Sequence, residues 1–186
     1  MKKVDVSSRL IISKLSELEK EETRALLIAS YEQYEKDYED KSVWEEYKAN
    51  ISSSLEKQEV EQILVAKQGK EIVGTLQLFC NGKTAYNKPE LEIFDPIVRL
   101  LAVHPKARGR GVAKALLKES LLYAKTKGAR CLYLHSGEMM KEAISLYERL
   151  GFKRDYSKEF SNQDILVKCF RYDLYKGGEE NECQSS

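Results

Sequence analysis

"LLAVHPKARGRGVAKALL", Leu100 to Leu117, changes character in its middle. Apolar, strand-like residues meet Pro105, and Gly109 and Gly111 then stand among Lys106, Arg108 and Arg110. Beyond Gly111 the apolar positions recur at helical spacing. A strand that enters a helix through a glycine-rich, basic turn suits an anion. Glycines let the backbone approach closely, and the first N–H groups of the helix have no intrahelical acceptor. The helix dipole adds about 0.3–1 kcal/mol per exposed charge. Two phosphate loops are excluded by spacing: there is no GxxxxGKS or GxxxxGKT, and Lys114 stands where a dinucleotide fingerprint needs a third glycine. What remains is Arg108-Gly109-Arg110-Gly111-Val112-Ala113: an arginine, a glycine three residues on, and an alanine two further.

Upstream, "RLIISKL" reads as a strand, and Ser16 with Glu19 three residues later as a capping box. The helix that follows, "ELEKEETRALLIASYEQYEKDYED", sets Leu27, Tyr31, Tyr34 and Tyr38 on one face. A second helix from about Val43 carries Trp44, Tyr47, Ile51 and Leu55 on one stripe. "QILVAKQGKEIVGTLQLFC" predicts two strands about a tight turn at Gln68-Gly69-Lys70. The irregular "NGKTAYNKPELEIFDP" then leads into the strand "IVRLLAVHP". Downstream, the helix after the glycine loop runs to about Lys127 and stops at Gly128. "RCLYLHS" is a strand, "MKEAISLYERL" a short helix closed by Gly151, and "ILVKCFRYDLYK" the last strand. The order β-α-α-β-β-β-α-β-α-β is neither strictly alternating nor all antiparallel. It predicts an α/β fold (α+β in some schemes) with a mixed sheet and helices on both faces.

The bulk numbers set the class. A chain of 186 residues favours one domain, over 1–176, with the polar stretch 177–186 as a disordered tail. Hydrophobic residues make up 42% and charged residues 33%, enough for a core under a highly charged surface. Net charge is +1, from 31 basic against 30 acidic side chains, which argues against nucleic acid as the main partner. No apolar run approaches the roughly 20 residues of a membrane span, and no apolar stretch follows the basic start as in a signal peptide. Cys80, Cys131, Cys169 and Cys183 lack zinc-site spacing, so no metal is expected. The first three lie in apolar, strand-like surroundings and read as buried free thiols of a reducing cytoplasm.

The block "VHPKARGRGVAKALL" resembles the acyl-CoA diphosphate loop of the GNAT N-acetyltransferase superfamily. "EAISLYERLGF", Glu142 to Phe152, resembles that family's motif around its final helix. The likeness covers roughly Ile63 to Phe152, and implies a mostly antiparallel central sheet and acetyl-CoA as the acyl donor. It further implies that the amides of Arg108, Gly109, Arg110, Gly111, Val112 and Ala113 hold the CoA diphosphate. Leu101, Ala102 and Val103 would offer backbone groups to the pantetheine arm and one N–H to the thioester oxygen. Tyr147 aligns with a tyrosine near the CoA sulfur and would protonate the departing thiolate as a general acid. A packing role is also open to it, because Ala143, Tyr147 and Leu150 share a helical face.

Two departures leave the chemistry open. Met140 stands where many relatives have an asparagine that contacts CoA or substrate. Pro96-Ile97-Val98-Arg99 lacks the glutamate that relatives often carry early in the strand before the loop. Glu92 or Asp95 just upstream, or a chain of waters, would then serve as base, against the plainer reading of both as solvated loop charges. His135 ends its strand facing either the acceptor or the core. The acceptor is a small-molecule or peptide amine. Tyr31, Tyr34 and Trp44 are candidates for its wall, beside the acidic Glu35, Asp37, Glu39 and Asp40, unless these aromatics only pack helix to sheet. A homodimer is compatible with this reading. Its rivals are a silent CoA-binding module, and a transferase using another acyl-CoA or an oxygen acceptor.

Overall fold

The computed structural model describes residues 9–175, so the tail read at 177–186, with Cys183, lies outside the described residues. One sheet of eight strands organises the chain: β1 (Leu10–Lys14), β2 (Gln62–Gln68), β3 (Glu71–Phe79), β4 (Ile97–Val103), β5 (Cys131–Gly137), β6 (Lys153–Arg154), β7 (Phe160–Asn162) and β8 (Ile165–Asp173). The strand order is β1-β2-β3-β4-β5-β8-β6, with β7 added to β8. Every pairing is antiparallel except β4 with β5, which gives the mixed, mostly antiparallel sheet that was expected.

That parallel pair is short, and the sheet opens beside it. Its register is Ile97↔Tyr133 and Val98↔Leu134, and there it ends. On the other edge of β4 the register with β3 shifts from Gln77↔Arg99 to Thr75↔Ala102, so Leu100 and Leu101 together oppose Leu76. Leu100 takes a φ of 49°, a left-handed conformation that costs a branched side chain on the order of 1–3 kcal/mol. An extra residue of this kind bends its strand and sharpens the local twist. The second half of β4 therefore departs from β5, and a wedge opens between them.

Five helices cover the two faces: α1 (Lys20–Tyr31), α2 (Lys41–Ser53), α3 (Gly82–Tyr86), α4 (Val112–Thr126) and α5 (Lys141–Arg149). Alternation along the strands sorts them. Leu64 and Ala66 of β2, and Leu132 and Leu134 of β5, share a buried cluster with Val112, Leu116 and Leu117 of α4 and Tyr147 of α5. Val65, between the first pair, joins Leu26, Leu27, Trp44 and Ile51 of α1 and α2 on the opposite face. Gly74 of β3 lets α4 sit close: a Cβ there would lie 2.6 Å from Val112 Cγ1 and 3.1 Å from Leu116 Cδ1. Truncating a fully buried leucine such as Leu116 would cost about 2–5 kcal/mol.

Several local expectations change. The capping box at Ser16 forms, with the Ser16 N–H donating to Glu19 Oε2 at 2.9 Å, but it opens a short 3-10 turn ahead of α1. α1 stops at Tyr31 instead of running to Asp40, and 3-10 structure continues over Glu32–Asp37. Acidic side chains crowd that end, where the helix dipole disfavours them. Asp40 then caps α2 by accepting the Ser42 N–H at 2.8 Å. The segment 81–96, expected to be irregular, contains α3, capped by Asn81 accepting the Thr84 N–H at 3.0 Å and ended by left-handed Asn87. β6 and β7 were not anticipated, since two or three mostly polar residues carry no periodicity. Cys169 is buried, but Cys80 is exposed at the end of β3 beside Glu61, against the expectation of a buried thiol.

Candidate acyl-CoA cleft

The glycine loop is built to leave amides unpaired. His104 Nδ1 accepts the Lys106 N–H at 3.2 Å, and the Ala107 N–H returns to the His104 carbonyl at 2.8 Å, which turns the chain at Pro105. Gly109 and Gly111 have φ of 75° and 78°, values that L side chains rarely adopt. A Cβ on either would meet nothing within 4 Å, so backbone conformation, not crowding, demands glycine there. Gly111 is the N-cap of α4 and brings no capping side chain. The Ala115 N–H is the one that closes on the Gly111 carbonyl, at 3.0 Å, leaving the N–H groups of Val112, Ala113 and Lys114 without an intrahelical acceptor. Arg108 is turned back to α1: its guanidinium donates to Gln33 Oε1 at 3.3 Å and to the Ser30 carbonyl at 3.4 Å. Arg110 is exposed and does not line the cleft.

A cleft of about 330 Å³ runs from this loop along the wedge between β4 and β5. Leu100, Leu101, Ala102 and Val103 form one wall, tied to α1 from behind. The Tyr31 hydroxyl donates to the Leu101 carbonyl at 3.2 Å, and Ser30 Oγ to the Val103 carbonyl at 3.0 Å. Burial pushes the Tyr31 phenol well above its usual pKa, so it keeps the proton it donates. Tyr31 and Tyr34 line the cleft. Trp44 does not. It is 1% exposed in the core, its ring 5.4 Å from that of Tyr38 and 6.1 Å from that of Tyr47, because its stripe faces the sheet. The acidic residues Glu35, Asp37, Glu39 and Asp40 are exposed and line no part of the cleft.

The opposite wall comes from β5 and α5. Met140, at the N-cap of α5, lines the cleft and packs against the α1–α2 core. Tyr147 points inward, with rings of Phe152 and Phe170 at 6.2 and 6.0 Å, and burial raises its phenol pKa. It is therefore both a core residue and a cleft residue, and it is protonated at neutral pH. His135 and Ser136 also face the cleft. His135 Nε2 lies 2.9 Å from the Lys158 carbonyl, a pure acceptor, so the ring proton belongs on Nε2 and Nδ1 is a bare lone pair. Burial holds this imidazole's pKa down at about 4, which keeps it neutral. His135 Nδ1 and Ser136 Oγ are both buried with no hydrogen-bond partner.

The proposed bases fall elsewhere. Asp95 accepts the Arg130 N–H at 3.2 Å at the start of β4, and the Glu92 carbonyl accepts from Lys158 Nζ at 3.3 Å. Neither lines the cleft, because both precede β4 while the wedge opens in its second half. Glu142, on the first turn of α5, does line it and was not singled out in the sequence. Among the described residues no group of three His, Cys, Asp or Glu could hold a metal ion, and no helix is long and apolar enough to cross a membrane.

These features fit an acyl-CoA. Uncapped amides beside two left-handed glycines face an open mouth, and His135 and Ser136, each with a buried unpaired polar atom, belong to the far wall. Residues 59–154 match the family model of the acetyltransferase (GNAT) domain. An uncharacterized N-acetyltransferase of Methanocaldococcus jannaschii is 30% identical over 128 residues, covering 69% of this chain and 54% of that protein. The uncharacterized N-acetyltransferase YhfO of Bacillus subtilis is 31% identical over 131 residues, covering 70% and 84%. The chain thus spans about half the length of the first relative and most of the second. In three dimensions it resembles the PaiA N-acetyltransferase of Thermoplasma acidophilum, solved in complex with coenzyme A, with a TM-score of 0.63 at 18% identity over 88% of this chain and 99% of that one. The splayed strands, the glycine loop at the head of α4 and these likenesses have one common reading: the chain belongs to the GNAT acetyltransferase family.

Proposed function

We infer that this chain is an N-acetyltransferase that moves the acetyl group of acetyl-CoA to a primary amine while both substrates are bound. One observation carries the reading: the uncapped N-terminus of α4 opens onto the same cleft as the diverging edge of β4. Acetyl-CoA supplies an acyl group already activated as a thioester. The amides of Val112, Ala113 and Lys114, with the backbone at Gly109 and Gly111, hold its diphosphate. The β4 wall at Leu101–Val103 orients the acyl end, and a strand N–H there stabilises negative charge on the acyl oxygen. Tyr147 holds its proton until the sulfur departs and then donates it. His135, kept neutral by burial, stands in the cleft lining beside the path of the incoming amine.

Direct transfer is favoured over a covalent acyl-enzyme. Among the described residues no cysteine lines the cleft, Ser30 is bonded to the Val103 carbonyl, and Ser136 Oγ has no hydrogen-bond partner to activate it. The test is thiol release from acetyl-CoA against a panel of primary amines. The account expects release that depends on the amine and an N-acetylated product. Tight acetyl-CoA binding with no release from any amine would leave only a CoA-binding module.

A further inference from the structure

A second cavity, of about 990 Å³, lies on the α3 side of the sheet, behind the wedge. Its floor is Arg99, the β4 residue just after the last one paired with β5. The guanidinium lies 4.6 Å from the centre of the Tyr86 ring and 5.6 Å from that of Phe79, and donates one hydrogen bond to the Ala85 carbonyl. Among the described residues no carboxylate pairs with it. Lys57, Lys83 and Lys88 stand around the same cavity, and Glu59 is the one carboxylate in its lining. A half-buried arginine fixed between aromatic faces, with guanidinium donors to spare, is a preorganised partner for a planar anion.

The cavity backs directly onto the acyl-CoA cleft. His135 lines that cleft, and its ring packs at 4.9 Å against Tyr86 and 5.3 Å against Phe160, both of which line the second cavity. Val98 and Leu100, which flank Arg99 on β4, line that cleft, so a molecule seated on Arg99 lies just across the same strand from it. Building on the transferase reading above, we propose that the acceptor is a small amine that also carries a carboxylate. Arg99 with the lysine rim binds the carboxylate, and the amine is presented past His135. The acidic run after Tyr31 faces solvent and lines neither cavity. The aromatic lining of Phe79, Tyr86 and Phe160 gives an apolar amino-acid side chain a matching surface.

The experiment measures thiol release with L-leucine and L-phenylalanine, each against its carboxamide, and with glucosamine 6-phosphate against glucosamine. The proposal expects kcat/KM at least tenfold higher for the acids than for their amides, mainly through KM. Arg99→Gln should abolish that preference while leaving acetyl-CoA affinity unchanged, and Arg99→Lys should restore part of it. Lys83→Glu, an exposed change that leaves the fold alone, should raise KM for the acids several-fold. Equal rates for acids and amides, a preference confined to the phosphate pair, or a preference that survives in Arg99→Gln would each overturn it. If no amine releases thiol, the transferase reading fails separately. Calorimetry with N-acetyl-L-leucine and its amide then decides the anion site: acid-selective binding lost in Arg99→Gln upholds it, and equal binding removes it.

Discussion

The two cavities on either side of the β4–β5 wedge are built from different materials. The acyl-CoA cleft uses backbone: unpaired amides at the head of α4, two glycines with positive φ and the diverging edge of β4. The cavity behind it uses side chains from four separate places, Phe79 of β3, Tyr86 of α3, Arg99 of β4 and Phe160 of β7. A backbone site asks little of its sequence beyond glycine and a helix start, so it suits a donor that many proteins share. A side-chain site changes with every substitution, which is why the proposed acceptor specificity is assigned to it.

The contrast can be broken at two residues, Tyr147 inside the cleft and His135 between the two cavities. Tyr147 reaches the cleft from α5, and Tyr147→Phe keeps its ring packing while removing the proton of the proposed donor. That variant should lose about 10²-fold in kcat with acetyl-CoA affinity nearly intact. An unchanged kcat would return Tyr147 to the core alone. His135 sharpens the acceptor side through pH. Its folded pKa of about 4 lies below the usual 6.5, so as pH falls the unfolded chain takes up the proton first. The stability this group contributes is complete above pH 6.5 and is lost progressively as pH falls to about 4. Between those values wild type should lose up to about 3 kcal/mol more than His135→Asn in urea unfolding. Parallel curves for the two proteins would mean that the imidazole is already protonated or well solvated in the fold.

The same division explains what could be read from sequence. The glycine loop is contiguous, so six consecutive residues from Arg108 to Ala113 declared the strand-to-helix turn and the uncapped start of α4. Element order and the tight turn at Gly69 were legible for the same local reason, since periodicity and glycine act over a few residues. The wedge was not. It depends on Leu100 taking a left-handed φ, and nothing in "IVRLLAVHP" marks a leucine for that. Without the wedge, proximity along the chain pointed to Glu92 and Asp95, which lie at the wrong end of β4. Trp44 shares a helical stripe with Tyr47, but the stripe faces the sheet and the tryptophan is sealed inside. The Arg99 cavity joins positions 57 to 162, a span that only tertiary structure closes.

The most direct measurement of the central claim is calorimetric titration of acetyl-CoA into wild type and Gly111→Asp. The variant puts a carboxylate and a strained φ where the diphosphate meets the head of α4, in space that is open to a side chain. Saturable binding by wild type, weakened at least thirtyfold (about 2 kcal/mol) in a variant that still folds, is the predicted result. Equal affinity in the two proteins, or no binding to wild type at millimolar acetyl-CoA, would contradict it.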